Sequence, residues 1–365
     1  MSGDDFINLH ELEALARERL PADVFDYYAG GAHDEITVRE NRAAYDRIAL
    51  RPRILVDVSA RDLSTTVLGS QLTAPIGIAP MAFQGMAHPD AELGTARGAA
   101  ASRTLMTLST FASSTLEAVR SSTSAPLWFQ LYVFKDRGAT RALVSRAEGA
   151  GYSALVVTAD APMLGRRERD VRRRFQIPAG VPHAVAPPAP SPEAPMDSPL
   201  AHHFAHQMDP SLTWRDLEWL ATLTRLPVLV KGVLRGDDAC RAADHGAAGV
   251  VVSNHGGRQL DTAVATADAL PEVARSVGDR LTVLVDGGIR RGTDVLKAVA
   301  LGARAVLVGR PVLWGLAVGG EAGVARVLEL LRAELDLAMA LCGCRSLAEI
   351  TPELLWSADR ARPGQ

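Results

Sequence analysis

The chain has little of what several protein classes require. It holds three cysteines, Cys240, Cys342 and Cys344, with no C-x-x-C spacing; an odd count so placed argues against a disulfide framework and against a zinc site. No apolar run approaches the roughly 20 residues that span a bilayer. Lysines and arginines number 39 against 42 acidic residues, a net charge of −3, which leaves no electrostatic footprint for nucleic acid or for an anionic membrane surface. Met1-Ser2-Gly3-Asp4-Asp5 lacks the basic and apolar regions of a secretory leader, and Arg362-Pro363-Gly364-Gln365 is not a peroxisomal tripeptide. A reducing cytoplasm is the expected location. The G-x-G-x-x-G phosphate fingerprint of a doubly wound dinucleotide fold is also missing.

What is present is an ample apolar fraction, 47% of 365 residues, arranged in short β-branched runs between Gly- and Pro-punctuated helical stretches. Eight such runs stand at 74–80, 104–109, 126–132, 154–160, 227–231, 249–253, 282–286 and 305–309. Several follow a helix that closes on glycine, as in Gly246-Ala247-Ala248-Gly249-Val250-Val251-Val252, where glycine supplies the left-handed stop. Continuous Val/Leu runs suit parallel strands covered on both faces. Eight βα units in roughly 250 residues predict an α/β fold, a (β/α)8 TIM barrel. Residues 1–70 read as an N-terminal helical extension packed on it, with Asn8-Leu9-His10-Glu11 as a capping box opening a helix to Arg19. Residues 71–365 form the barrel, and 175–212, rich in Pro and Ala, is a long insertion after the fourth strand, with a mobile cover or a linker as its two readings.

Barrel chemistry sits at the C-terminal strand ends. Those ends carry Pro80-Met81, Ser109, Gln130 with Tyr132, Thr158 with Asp160, Lys231, Ser253 with His255, Asp286, and Gly309-Arg310. Within Ser253-Asn254-His255-Gly256-Gly257-Arg258 an imidazole suited to proton transfer near neutrality stands three positions from a guanidinium shaped for a carboxylate. Gly287-Gly288 with Arg290, and Gly309-Arg310, open the helices after strands seven and eight, where barrels often lodge a phosphate. Lys231, Gln130, Thr158, Ser109 and Ser253 add more donors and acceptors than a phosphate needs, which suits a flat heteroaromatic cofactor. Of the arginine run from Arg166 to Arg174, one member five to seven positions past Asp160 can turn inward as a second clamp; the others read as a solvated, salt-bridged segment. Tyr27 either reaches the site or packs. His202, His203 and His206 do not read as a metal site, and Trp214, Trp219 and Trp314 read as helix packing.

The motifs Ala79-Pro80-Met81-Ala82, Trp128-Phe129-Gln130-Leu131-Tyr132, Thr158-Ala159-Asp160-Ala161-Pro162, Leu164-Gly165-Arg166-Arg167-Glu168, Leu229-Val230-Lys231-Gly232, the run from Ser253 to Asp261, Asp286-Gly287-Gly288-Ile289-Arg290-Arg291-Gly292 and Val308-Gly309-Arg310-Pro311 together resemble the FMN-dependent 2-hydroxy-acid oxidases, the family of glycolate oxidase, lactate oxidase and mandelate dehydrogenase. The resemblance runs from Phe25 to about Ile350. It implies His255 as the base with Asp160 supporting its imidazolium, and Arg258 and Arg167 as carboxylate clamps helped by Tyr27. Tyr132 would bond the substrate hydroxyl, and Lys231 would place a cation beside the flavin ring. Pro80, Met81, Ala82, Ser109, Gln130, Thr158, Ser253, Asp286, Gly287, Gly288, Arg290, Gly309 and Arg310 would contact FMN. The implied reaction oxidises an L-2-hydroxy acid to the 2-oxo acid, with dioxygen reduced to hydrogen peroxide, in a homotetramer without nucleic-acid or membrane partners. Met81 and Phe111 replace the Thr and Trp typical of glycolate-oxidising members, which implies a preference for lactate or longer acids. The alternatives are a dehydrogenase passing electrons to a quinone or cytochrome, and a non-redox phosphate-binding barrel enzyme or sensor.

Overall fold

Eight short strands whose side chains are almost all buried close into a parallel barrel: β1 (Ile76–Ile78), β2 (Met106–Leu108), β3 (Leu127–Leu131), β4 (Ala154–Thr158), β5 (Val228–Val233), β6 (Gly249–Val252), β7 (Thr282–Asp286) and β8 (Ala305–Val308). Each pairs with the next in the chain, and β8 pairs back to β1. The computed structural model describes residues 6–187 and 199–356, without the side chains of Pro199, Leu200, His202 and His203; residues 188–198 of the insertion, and those two histidine side chains, lie outside the described residues. The expected (β/α)8 barrel is the observed fold.

Alternation along each strand positions the site. Phe129, Leu155, Val230, Val250 and Val285 face the surrounding helices in one apolar cluster. Trp128, Val156, Leu229, Val251, Leu284 and Leu307 face the barrel interior in a second. Successive side chains in a strand point to opposite faces, so the residue two positions after each interior one also points inward, one layer nearer the mouth. Those residues are Gln130, Thr158, Lys231, Ser253, Asp286 and Gly309. The barrel is thus apolar below and polar above. Its lower end is plugged by a hairpin, Thr65–Val67 with Ser70–Leu72, whose Val67 and Leu72 join the interior cluster.

Strand five departs from expectation. It continues two residues past Lys231 to Val233, with a register shift between Lys231 and Val233. The irregularity centres on Gly232 at φ 108°, where a Cβ would lie 2.5 Å from Cβ of Asp160. Only glycine lets the two strand ends approach this closely, and the irregularity follows Lys231, which keeps the inward direction set by alternation.

Ahead of the barrel run α1 (Leu9–Arg19), α2 (Ala22–Ala29) and α3 (Ile36–Arg47). The Asn8 carboxamide accepts from His10 and Glu11 N–H groups and caps α1 as the sequence predicts. Phe25 of α2 stacks on Trp314 at 4.9 Å, inside the helix Arg310–Leu341 that follows β8. That helix is 32 residues long but is broken at Gly319-Gly320, and among the described residues no helix is long and apolar enough to cross a membrane.

Candidate active site

The polar layer opens into a cleft enclosing about 1140 Å³ of space, its open mouth included. Every residue named above as a site candidate lines it except Asp160 and Ser253, which bond to residues that do. Asp160 Oδ1 lies 2.9 Å from His255 Nδ1. Ser253 Oγ accepts from Lys231 Nζ at 2.8 Å and from the His255 N–H at 3.0 Å.

His255 sits in the left-handed region at φ 58°, followed by Gly256 and Gly257, also at positive φ. A non-glycine residue held there is strained by roughly 1–3 kcal/mol and persists only where its surroundings enforce it. The enforcement is visible. Asn254 accepts from the Gly257 N–H, and the Gly257 carbonyl accepts from Ala32 N. The turn directs His255 Nε2 toward the Tyr132 hydroxyl, 3.5 Å away, while Nδ1 meets Asp160. Desolvation pushes the imidazole below its ordinary pKa, Asp160 pulls it back up, and Lys231 and Arg167 push it down again. It is therefore neutral near pH 7 and free to accept a proton at Nε2. Burial pushes the Asp160 carboxyl up, but His255 and Lys231 outweigh it and hold the group ionised.

Opposite the imidazole stand two guanidiniums. Arg167 is buried and its Nε has no hydrogen-bond partner among the described residues. Arg258 donates from Nη1 to the carbonyls of Tyr27 at 2.6 Å and Gly30 at 2.9 Å. Both lie near the Tyr27 ring, at 6.0 and 5.1 Å from its centroid, and that ring stacks on Phe175 at 4.6 Å. Desolvation drives Arg167 down to about 10, with Arg258 adding repulsion. Arg310 is pushed down to about 9 by desolvation and by Arg258 and Arg290. Guanidiniums stay protonated in proteins, so these shifts express electrostatic stress: the cleft concentrates positive charge and calls for anions. The rest of the arginine run behaves as a solvated segment, with Arg169 paired to Asp26 and Glu35 and Arg173 to Asp26.

Deeper in the cleft, Lys231 Nζ pairs with Asp286 Oδ2 at 3.2 Å, both side chains buried. Asp286 Oδ1 is buried without a partner among the described residues. Gln130 accepts from Ser109 Oγ and Thr110 N and donates to Thr158 Oγ1. At Gly309 a Cβ would meet no protein atom closer than 3.8 Å, so the glycine keeps space for something other than protein, beside the N-terminus of the helix from Arg310. Arg290 spends Nη1 on its neighbour's carbonyl. Arg310 bonds the carbonyls of Tyr28, Gly30 and Gly256 through its three nitrogens, which leaves it two further N–H groups.

The sequence profile of the FMN-dependent dehydrogenase family matches residues 16–357. The chain belongs to that family. It is 56% identical to an L-lactate oxidase of Nostoc sp. over 356 residues, covering 96% of this chain and 98% of that one. It is 52% identical to glycolate oxidase 3 of Oryza sativa over 361 residues, covering 97% and 98%. A crystal structure of mandelate oxidase with (S)-4-hydroxymandelic acid superposes with a TM-score of 0.91 at 42% identity, covering 96% and 98%. The protein is an FMN-dependent 2-hydroxy-acid oxidase family enzyme, as its motifs imply, and FMN is its cofactor. The cleft fits that group. An unpartnered Asp286 oxygen suits a ribityl hydroxyl, the space at Gly309 with Arg290 and Arg310 suits a phosphate, and Gln130, Thr158 and Lys231 offer a polar edge to a flat ring.

Sequence reasoning missed several lining residues: Tyr28, Phe83, Leu164, Leu313 and, above all, Phe204. Phe204 comes from the helix Pro199–Gln207 inside the insertion, and its ring lies 5.2 Å from Tyr132 and 6.3 Å from Phe111. No sequence signal ties that helix to the mouth, because its register depends on a segment without periodicity. Tyr28 was accessible to inspection beside Tyr27, and its hydroxyl donates to the Phe83 carbonyl at 2.6 Å.

Proposed function

We propose that the enzyme oxidises a small L-2-hydroxy acid to its 2-oxo acid with dioxygen as the acceptor, favouring lactate or longer acids over glycolate. The observation that carries this reading is a neutral imidazole, backed by a carboxylate at 2.9 Å, in a cleft with two guanidiniums that want an anion. Arg167 and Arg258 hold the substrate carboxylate, and Tyr27 shapes their approach from beneath. The fork of a guanidinium fixes orientation as well as charge. Tyr132, 3.5 Å from His255 Nε2, keeps its proton because burial raises its pKa, and so donates to the substrate oxygen. His255 Nε2 takes the hydroxyl proton as the carbonyl forms, and Asp160 stabilises the resulting imidazolium. The buried Lys231 would hold the polar edge of the flavin and supply positive charge where negative charge develops. Bound FMN supplies a two-electron acceptor that dioxygen reoxidises. The substrate gives up two electrons and two protons, and dioxygen leaves with the same as hydrogen peroxide.

The substrate preference rests on the apolar wall. Phe111 lies 5.8 Å from Phe83 and 5.5 Å from Tyr132, with Phe204 closing the other side. A C3 methyl buries against these rings, whereas glycolate has none to bury. The high identity to an L-lactate oxidase supports the same direction. Peroxide release and anaerobic bleaching of the visible flavin band, measured over a panel of hydroxy acids, test both parts. Highest kcat/KM on glycolate refutes the preference, and dye reduction without peroxide in air refutes dioxygen as acceptor. His255→Ala that retains turnover in flavin-loaded protein refutes the assignment of the base.

A further inference from the structure

The catalytic turn is not held by the barrel alone. Asn41, in the middle of α3, and Asn254, immediately before His255, form a reciprocal carboxamide pair: Asn41 Nδ2 donates to Asn254 Oδ1 at 2.8 Å, and Asn254 Nδ2 donates to Asn41 Oδ1 at 2.7 Å. Both side chains are buried. Three further bonds anchor the pair locally. Asn254 Oδ1 also accepts from the Gly257 N–H, Asn254 Nδ2 also donates to the Val264 carbonyl, and Asn41 Oδ1 also accepts from Thr266 N. Neither amide can rotate by half a turn without setting donor against donor or acceptor against acceptor. Asn41 reaches the cofactor loop as well. A Cβ at Gly287 would lie 3.3 Å from Asn41 Nδ2, and one at Gly288 would lie 2.0 Å from the Asn41 carbonyl oxygen.

We infer that Asn41 is a positioning residue for the base: through Asn254 it fixes the strained turn that aims His255 between Asp160 and the substrate, and so makes α3 part of the catalytic apparatus. The inference rests on the reading of His255 as the base. A turn in a left-handed conformation relaxes if its enforcement is cut, and a misplacement near 1 Å costs a catalytic group on the order of 100-fold. The Asn254 carboxamide is both the cap of the turn and the partner of Asn41, so loosening one loosens the other.

The experiment uses the flavin-loaded full chain with Asn41→Ala, the near-isosteric Asn41→Asp, Asn254→Ala and the Asn41/Asn254 double alanine variant. Asn41→Asp keeps the acceptor and sets oxygen against oxygen at the former Nδ2 contact. The expected result is a fall in kcat of roughly 10- to 100-fold with KM changed by less than about threefold, flavin content retained, and a double variant no worse than the poorer single one. The acid limb of kcat/KM should also move to lower pH, because a loosened His255 loses the upward pull of Asp160 while Lys231 and Arg167 still push it down. Folded, flavin-loaded variants with kcat within twofold of the parent overturn the inference. So do losses that simply multiply in the double variant, or losses that track flavin content. If Asn41→Ala does not fold, Asn41→Asp decides by the same criteria. His255→Ala separates the two layers: turnover lost there but intact in the Asn41 variants overturns this inference alone, and turnover retained there overturns the reading beneath it.

Discussion

With His255 as the proposed base, Asp160→Asn isolates its electrostatic support. Asp160 Oδ2 is buried with no partner among the described residues, while Oδ1 faces His255 Nδ1 at 2.9 Å. An amide therefore fits with its NH2 in the place of Oδ2 and its oxygen still accepting from Nδ1–H. Shape and tautomer are kept, and the charge is lost. Two unit charges about 4 Å apart attract by roughly 4 kcal/mol at an effective dielectric near 20. Lys231 also faces this carboxylate and already absorbs part of its field, so the imidazolium loses about 2–3 kcal/mol, or roughly 30- to 150-fold in kcat at about 1.36 kcal/mol per decade. The pH profile supplies the sign. His255 works when neutral, so kcat/KM falls as pH drops through its pKa. Desolvation already depresses that pKa and Asp160 opposes the depression; without the carboxylate the acid limb moves to lower pH even as the plateau drops. Steady-state oxygen consumption from roughly pH 5 to 9 reads both. An acid limb displaced to higher pH, or kcat within threefold of the parent, refutes the reasoning.

Lys231→Met breaks a buried pair and leaves Asp286 uncompensated, at a cost of about 3–5 kcal/mol that thermal unfolding will record; adding Asp286→Asn should restore the unfolding temperature but not the rate of anaerobic bleaching, and recovery of both would deny Lys231 its electrostatic role. Phe204→Ala removes one ring from the wall formed with Phe111 and Tyr132, so a substrate methyl loses about 1 kcal/mol of burial. The lactate-to-glycolate ratio of kcat/KM should then fall about fivefold, with glycolate itself nearly unchanged; an equal loss on both acids places Phe204 outside the specificity wall.

The barrel was legible because its signals are local. Each strand is a short apolar run, and each ends in a residue whose inward direction follows from counting by two from Trp128, Val156, Leu229, Val251 and Leu284. That count explains why Gln130, Thr158, Lys231, Ser253 and Asp286 share one layer, and why the sequence reading placed them at one mouth. It did not reveal the extension of strand five, because Val233 looks like the start of a loop until Gly232 is seen to accommodate Asp160. The arginine run by itself did not single out Arg167, which the family motif named, because the run carries no signal for which member turns inward to lie near the Tyr27 ring. The Asn41–Asn254 pair was illegible, as the partners lie 213 positions apart and the charged neighbours Arg39, Glu40 and Arg42 give no sign that Asn41 is buried. Phe204 failed for the related reason that a side chain's distance from the site is not encoded near it.

The two anions this enzyme must hold explain why its cations are arranged as they are. Arg258 and Arg310 both spend donors on the carbonyls of Tyr28 and Gly30, so the C-terminal end of α2 fixes in one frame the two guanidiniums proposed to hold the substrate carboxylate and the phosphate. Carbonyls satisfy the hydrogen-bonding geometry of a guanidinium without cancelling its charge. A carboxylate in the same place would do both, and would leave nothing to attract substrate or cofactor. Of the acids nearby, Asp26 and Glu35 are engaged by Arg169 at the rim, Asp160 by His255 and Asp286 by Lys231, while the buried Asp170 faces both Arg167 and Arg258. The forks of Arg258 and Arg310 are thus held by carbonyls, and the Tyr28 and Gly30 carbonyls among them come from the segment ahead of the barrel.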